Sequence, residues 1–130
     1  MRPLLFISIL ILSLSSCSKD LDSFSLNEEI KLDYGETAKI ESEDIQIEFV
    51  DVLEESRCPP KVLCIWAGLV RVKLNINGGD PVYLNLGDTP SKVTHTFDDY
   101  ELTLLDVSYP SDKDFGMKEK ASIRFVVREI

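Results

Sequence analysis

The chain has 130 residues, 44% of them hydrophobic, and its 23 Asp and Glu against 14 Lys and Arg give a net charge of −9. That balance excludes polybasic attraction to nucleic acid or to anionic membrane surfaces, because phosphate backbones and acidic head groups repel it. With a single histidine, no histidine-based metal cluster can be assembled. No metal or other cofactor is expected.

At the N-terminus Arg2 precedes an apolar run over residues 4–12, followed by small residues. This is the pattern of a secretory signal, and the run is shorter than the roughly 18 apolar residues of a spanning helix. Leu14-Ser15-Ser16-Cys17 resembles the lipobox of bacterial lipoproteins. The resemblance implies removal of residues 1–16 and acylation of Cys17, so that contact with the membrane is through covalent lipid. Ser18 after the cysteine, in place of Asp, is similar to lipoproteins sent to the outer membrane. Lys19 and Asp20 look partly like a Lys-plus-acid surface-export signal, which Leu21 interrupts. A lipid-anchored protein of the outer membrane is therefore expected, with its periplasmic or surface face open. Residues 17–28 are polar and lack apolar periodicity, as a tether without a fixed fold does. Residues 29–130 have the size of one domain.

Along that domain the period-2 alternation of half-buried strands recurs. Segments 29–34 and 36–41 flank Gly35, with Ile30 and Leu32 on one face and Ala38 and Ile40 on one face; they form either an edge hairpin or one bent strand. Ile45, Ile47 and Phe49 alternate with Gln46 and Glu48, and the phase breaks over Val50, Val52 and Leu53, which predicts a bulge or two covered faces. Val70, Val72, Leu74 and Ile76 alternate with Arg71, Lys73 and Asn75; after Gly78-Gly79-Asp80, Val82, Leu84 and Leu86 return as the second arm of a hairpin. Val93, His95 and Phe97 share a parity, as do Tyr100, Leu102 and Leu104, and a shift at Leu105 places Leu105, Val107 and Tyr109 on one face. A charged loop over 110–120 leads to a last strand, in which Ile123, Phe125 and Val127 oppose Arg124, Val126 and Arg128. About seven or eight short strands without helical periodicity predict an all-β domain: an antiparallel β-sandwich, immunoglobulin-like in outline, with a small β-barrel as the alternative.

Between the second and third of these strand regions lies the most constrained stretch, SRCPPKVLCIWAG. Pro59-Pro60 forbids a helix, so residues 58–64 turn a corner. In an exported chain Cys58 and Cys64 are expected to pair once Cys17 carries lipid. By chain entropy, closing so short a loop contributes about 2 kcal/mol. The five-residue gap is not the C-x-x-C of redox sites. Trp66, among Ile65, Ala67 and Leu69, is expected to pack in the core over the disulfide; on the surface it would instead offer, with Tyr83 and Tyr100, a platform for a sugar or a partner.

No catalytic constellation stands out. His95 is solitary, no Gly-x-Ser-x-Gly elbow occurs, and the acidic pairs Asp98-Asp99 and Asp112 with Asp114 lack an EF-hand pattern. No catalytic or metal-binding residue is assigned. A rigid loop loses little entropy on binding, so Arg57, Lys61 and Val62, with Trp66, are the candidate partner-binding residues. A Pro-Pro loop carrying Lys61 also vaguely resembles the binding loops of serine-protease inhibitors.

Ser56-Arg57-Cys58-Pro59, with Cys64, Trp66, Ala67 and Gly68, resembles an S-R-C-P...C-x-W-x-G signature of short exported bacterial proteins, many of them lipoproteins. The resemblance implies a disulfide corner in a β domain and transfers no catalytic residue. The expected function is that of a non-enzymatic envelope module that binds a protein or a glycan, the alternatives being a protease inhibitor or a carbohydrate-binding module.

Overall fold

The computed structural model describes residues 23–41, 43–87 and 91–130. The expected signal over 1–16, Cys17 and the first part of the tether lie outside the described residues. Among the described residues, alternating apolar residues build nine strands: β1 (Ser23–Phe24), β2 (Ile30–Asp33), β3 (Thr37–Ile40), β4 (Ile45–Glu55), β5 (Leu69–Ile76), β6 (Pro81–Gly87), β7 (Thr94–Phe97), β8 (Tyr100–Ser108) and β9 (Ser122–Glu129). They form a five-stranded sheet in the order β1-β3-β4-β5-β6 and a four-stranded sheet in the order β2-β9-β8-β7. Among the described residues there is no α-helix, and neither sheet closes on itself, so the small barrel is not the arrangement adopted.

One apolar core draws on both sheets. Ile47 and Phe49 of β4, Val72 and Leu74 of β5 and Leu84 of β6 come from the first; Ile30 of β2, Leu102 of β8 and Phe125 of β9 come from the second. The polar residues of these strands, such as Gln46, Glu48, Arg71 and Arg124, remain exposed, as the pleat requires. The phase break in β4 is a pair of register shifts against β5, between Phe49 and Asp51 and between Val52 and Glu54. The hairpin of β5 and β6 pairs Val72 with Leu84 and Leu74 with Val82, as the alternation predicts.

Four expectations are corrected. Segments 29–34 and 36–41 are neither a hairpin nor one strand within a sheet, because β2 and β3 belong to different sheets. The crossing occurs between adjacent residues: Tyr34 N–H donates to Ala121 O at 3.0 Å, and Gly35 N–H donates to Phe49 O at 2.9 Å. Gly35 has φ 80°, which an L side chain rarely adopts. Leu105 does not share a face with Val107; it is the bulged residue between Leu104 and Asp106 and stands exposed while Val107 is buried. Val126 is buried although it faces away from Phe125. Finally, residues 23–28 are not a free tether. β1 pairs with β3 in parallel, Phe24 and Leu26 pack against the core, and Asn27 N–H donates to Val127 O at 2.8 Å. That single parallel pair departs from an all-antiparallel fold.

Residues 56–68 join the C-terminal end of β4 to the start of β5, beyond the ends of both sheets. The charged loop after β8 contains two 3-10 turns, Asp112–Asp114 and Lys118–Lys120, and lies beside them.

Candidate functional site

Each residue of the S-R-C-P...C-x-W-x-G stretch has a structural task in this corner. Ser56 closes the strand ladder: its N–H donates to Leu69 O at 2.9 Å, its Oγ donates to the same oxygen at 3.1 Å, and Leu69 N–H donates to Oγ at 3.1 Å. Cys58 and Cys64 are joined by a disulfide, with Cα atoms 5.8 Å apart. Between them Val62 N–H donates to Pro59 O at 3.3 Å and Lys61 has φ 62°. Proline at the second position and positive φ at the third mark a type II turn. Gly68 passes so close to the preceding arm that a Cβ there would lie 1.8 Å from Ser56 O.

Arg57 is not at the loop's outer surface. Its Nε donates to Glu55 Oε1 at 2.8 Å, its Nη2 to Glu55 Oε2 at 2.7 Å and its Nη1 to Val107 O at 2.9 Å. The last bond crosses from the five-stranded sheet to β8 of the other, so Arg57 ties the two together at this end. Phe115 lies under the guanidinium, 5.8 Å from its carbon to the ring centre. Burial opposes the charged guanidinium, but the hydrogen bonds and charge of Glu55 outweigh it and hold the pKa above the ordinary value. Arg57 is thus engaged internally, with 24% of its side chain exposed.

Tyr109 completes this clamp by donating to Glu55 Oε2 at 3.0 Å. Burial, then that bond, pushes its pKa up to about 12. An acid whose folded pKa is raised contributes stability that is fully present below its unfolded pKa of about 10 and is lost as the pH climbs through the folded value. The midpoint of urea unfolding is expected to fall between pH 10 and about 12. Tyr109→Phe should flatten part of that fall. The remainder belongs in part to Tyr100, whose hydrogen bond to Glu43 pushes its pKa up to about 12 as well. An unchanged alkaline slope in Tyr109→Phe would remove Tyr109 from this account.

The other candidates are displayed. Val62 is 53% exposed, and Lys61 is open except for an ion pair with Asp112 at 3.2 Å. Trp66 does not pack in the core: it is 57% exposed, and its indole N–H donates to Ser56 O at 3.1 Å. The physical reason is that β4 and β5 end below the corner, where Arg57, Glu55 and Tyr109 already close the gap between the sheets. Of the apolar neighbours that suggested burial, Ile65 at 99% exposure and Ala67 are themselves outside it, and Leu69 is half-buried. A cleft of about 320 Å³ separates the corner from the loop after β8, lined by Pro60, Val107, Tyr109, Pro110 and Phe115 with Arg57.

Elsewhere, His95 stacks on Phe97 at 6.3 Å. Asp112 pairs with Lys61, and Asp114 pairs with Lys120 at 2.9 Å and accepts from Ser111 Oγ at 2.7 Å. Among the described residues no three His, Cys, Asp or Glu side chains are grouped to hold a metal ion. Sequence reasoning missed Glu55, Tyr109 and Phe115, which are brought to the corner from β4 and from the end of β8 and the loop beyond it. It also missed Ile65 as a surface group, because apolar residues beside a tryptophan suggest a core. No family model, curated protein or solved structure matches the chain.

Proposed function

We propose that the chain is a lipid-anchored protein of the bacterial outer membrane, acylated at Cys17, whose domain is an immunoglobulin-like antiparallel β-sandwich and acts by contact rather than by catalysis. The observation that carries this reading is the braced, apolar tip of the corner: Leu63 and Ile65 are wholly exposed on either side of a disulfide-bonded cysteine. Exposed aliphatic groups held in place by a bridge, a turn and a closed strand ladder mark an interaction surface. The lipobox at residues 14–17 and the disulfide support an envelope location. Two open sheets sharing one core support the sandwich.

A second reading, glycan binding, is favoured by the open ring of Trp66, since stacking needs an accessible face. The inhibitor reading through Lys61 finds less support, because Lys61 sits in a tight turn and is paired with Asp112. In intact envelopes, Cys17→Ser is expected to abolish incorporation of labelled palmitate into the protein. Leu63→Asp with Ile65→Asp should leave it anchored and folded but abolish crosslinks formed from the corner. Retention of every crosslink in that variant would reduce the corner to an architectural element.

A further inference from the structure

We propose that the Leu63, Ile65 and Trp66 tip inserts into the interfacial layer of a phospholipid bilayer, as a second membrane contact beside the acyl chains of Cys17. This deepens the reading of the chain as a lipid-anchored protein and rests on it. The tip has the composition such insertion needs. Two aliphatic side chains, 100% and 99% exposed, flank a cysteine tied inward to Cys58, and Trp66 presents its ring while its one polar hydrogen is satisfied by Ser56 O. A tryptophan of this kind settles where one end is apolar and the other wet. Lys61, with its side chain 86% exposed, has a stem long enough to carry its ammonium to the phosphate level. The corner is irregular backbone outside both sheets. Hydrocarbon does not tolerate such backbone, so insertion stops at the interface, where head groups and water can pair with it.

The course of the chain makes a bilayer the fitting occupant. β1 is parallel to β3, and β3 is antiparallel to β4, so β1 runs away from the corner and the backbone arrives at Ser23 from the corner's side. Ser23 lies level with Gln46, through Lys39. At the rise of an extended strand the remaining length of β4 to Glu55 is about 30 Å. The six residues 17–22 reach at most about 21 Å. An anchor no farther than about 21 Å from Ser23 keeps the membrane surface nearer to Ser23 than the corner end of β4 is, so a tilted domain can set its apolar tip against that surface. The net charge of −9 selects the lipid: zwitterionic head groups, with anionic ones repelling the domain.

The test uses the Cys17→Ser chain without residues 1–16, so that neither acylation nor the apolar run over residues 4–12 contributes, and vesicles of phosphatidylcholine. Trp66 is the only tryptophan, so its emission reports the tip alone. Expected results are a blue shift on adding vesicles and quenching by lipids brominated near the head group more than by lipids brominated near the chain ends. Adding phosphatidylglycerol should weaken binding at low salt. Leu63→Asp with Ile65→Asp should lower vesicle partitioning by about a hundredfold and leave the thermal midpoint unchanged, because both side chains are already in solvent. Emission indifferent to brominated lipid, or a double variant that partitions like the parent, would overturn the proposal and leave the tip to a protein partner. Palmitate incorporation at Cys17 is measured separately. Its absence alongside vesicle binding would overturn the anchor reading while the insertion of the tip stands.

Discussion

Glu55→Ala is expected to destabilise the domain by about 3 kcal/mol, the largest effect of any single charge removal at the corner. Its carboxylate side chain is 8% exposed and accepts three bonds from Arg57, two from the guanidinium and one from the backbone N–H, and one from Tyr109. Removing one member of a buried pair leaves the other charge without compensation, which costs about 3–5 kcal/mol. The Arg57 side chain keeps 24% exposure, which places the expectation at the lower end. In thermal unfolding the loss corresponds to roughly 12–20 °C for a domain of this size. The double variant Glu55→Leu with Arg57→Met should recover most of it, since a buried ion pair is seldom more stabilising than apolar groups of similar volume. If Glu55→Ala and Arg57→Ala each cost less than about 1 kcal/mol, the pair behaves as an exposed surface bridge, and the clamp does not seal this end of the molecule.

Gly68→Ala should have an effect of similar size through sterics. The added Cβ would sit 1.8 Å from Ser56 O and 2.2 Å from its carbonyl carbon, and both are backbone atoms with no rotamer to yield. One arm of the corner must move, which breaks the three Ser56–Leu69 hydrogen bonds and the bond from the Trp66 indole to Ser56 O. At a net 0.5–1.5 kcal/mol for each bond, a loss of about 3 kcal/mol is expected, with a changed Trp66 emission spectrum in the folded state. Gly79→Ala is the control: the nearest atom to its added Cβ is Ile76 O at 3.3 Å, and a change below about 0.5 kcal/mol is expected. Equal effects from the two substitutions would mean that the corner gives way easily and is not rigid.

Much of the fold was legible because a strand's side chains alternate with a fixed period of two. Ile45-Ile47-Phe49, Val70-Val72-Leu74 and Ile123-Phe125-Val127 each declare a buried face without reference to any partner strand. The disulfide was legible from the cysteine count and an expected export, and the turn from Pro59-Pro60. The pairing of strands was less so. Nothing local distinguishes β2 and β3 as arms of a hairpin from β2 and β3 in separate sheets, because the choice is made by which distant strand, β9 or β4, accepts each backbone hydrogen bond.

The candidate site was legible in place and misread in detail. Arg57 has the composition of a surface contact, yet Glu55, Val107 and Phe115 use it as a clamp. Trp66, Leu63 and Ile65 have the composition of a core, yet they stand outside one that is already closed. The sequence by itself determined the strand faces, the turn at Pro59-Pro60 and the cysteines available to close it, since all of these follow from residues adjacent in the chain. Only the tertiary structure decided which side of the corner faces water. Burial depends on where two sheets end relative to one another, and that is fixed by contacts between residues some 50 positions apart, as in the bond from Arg57 to Val107.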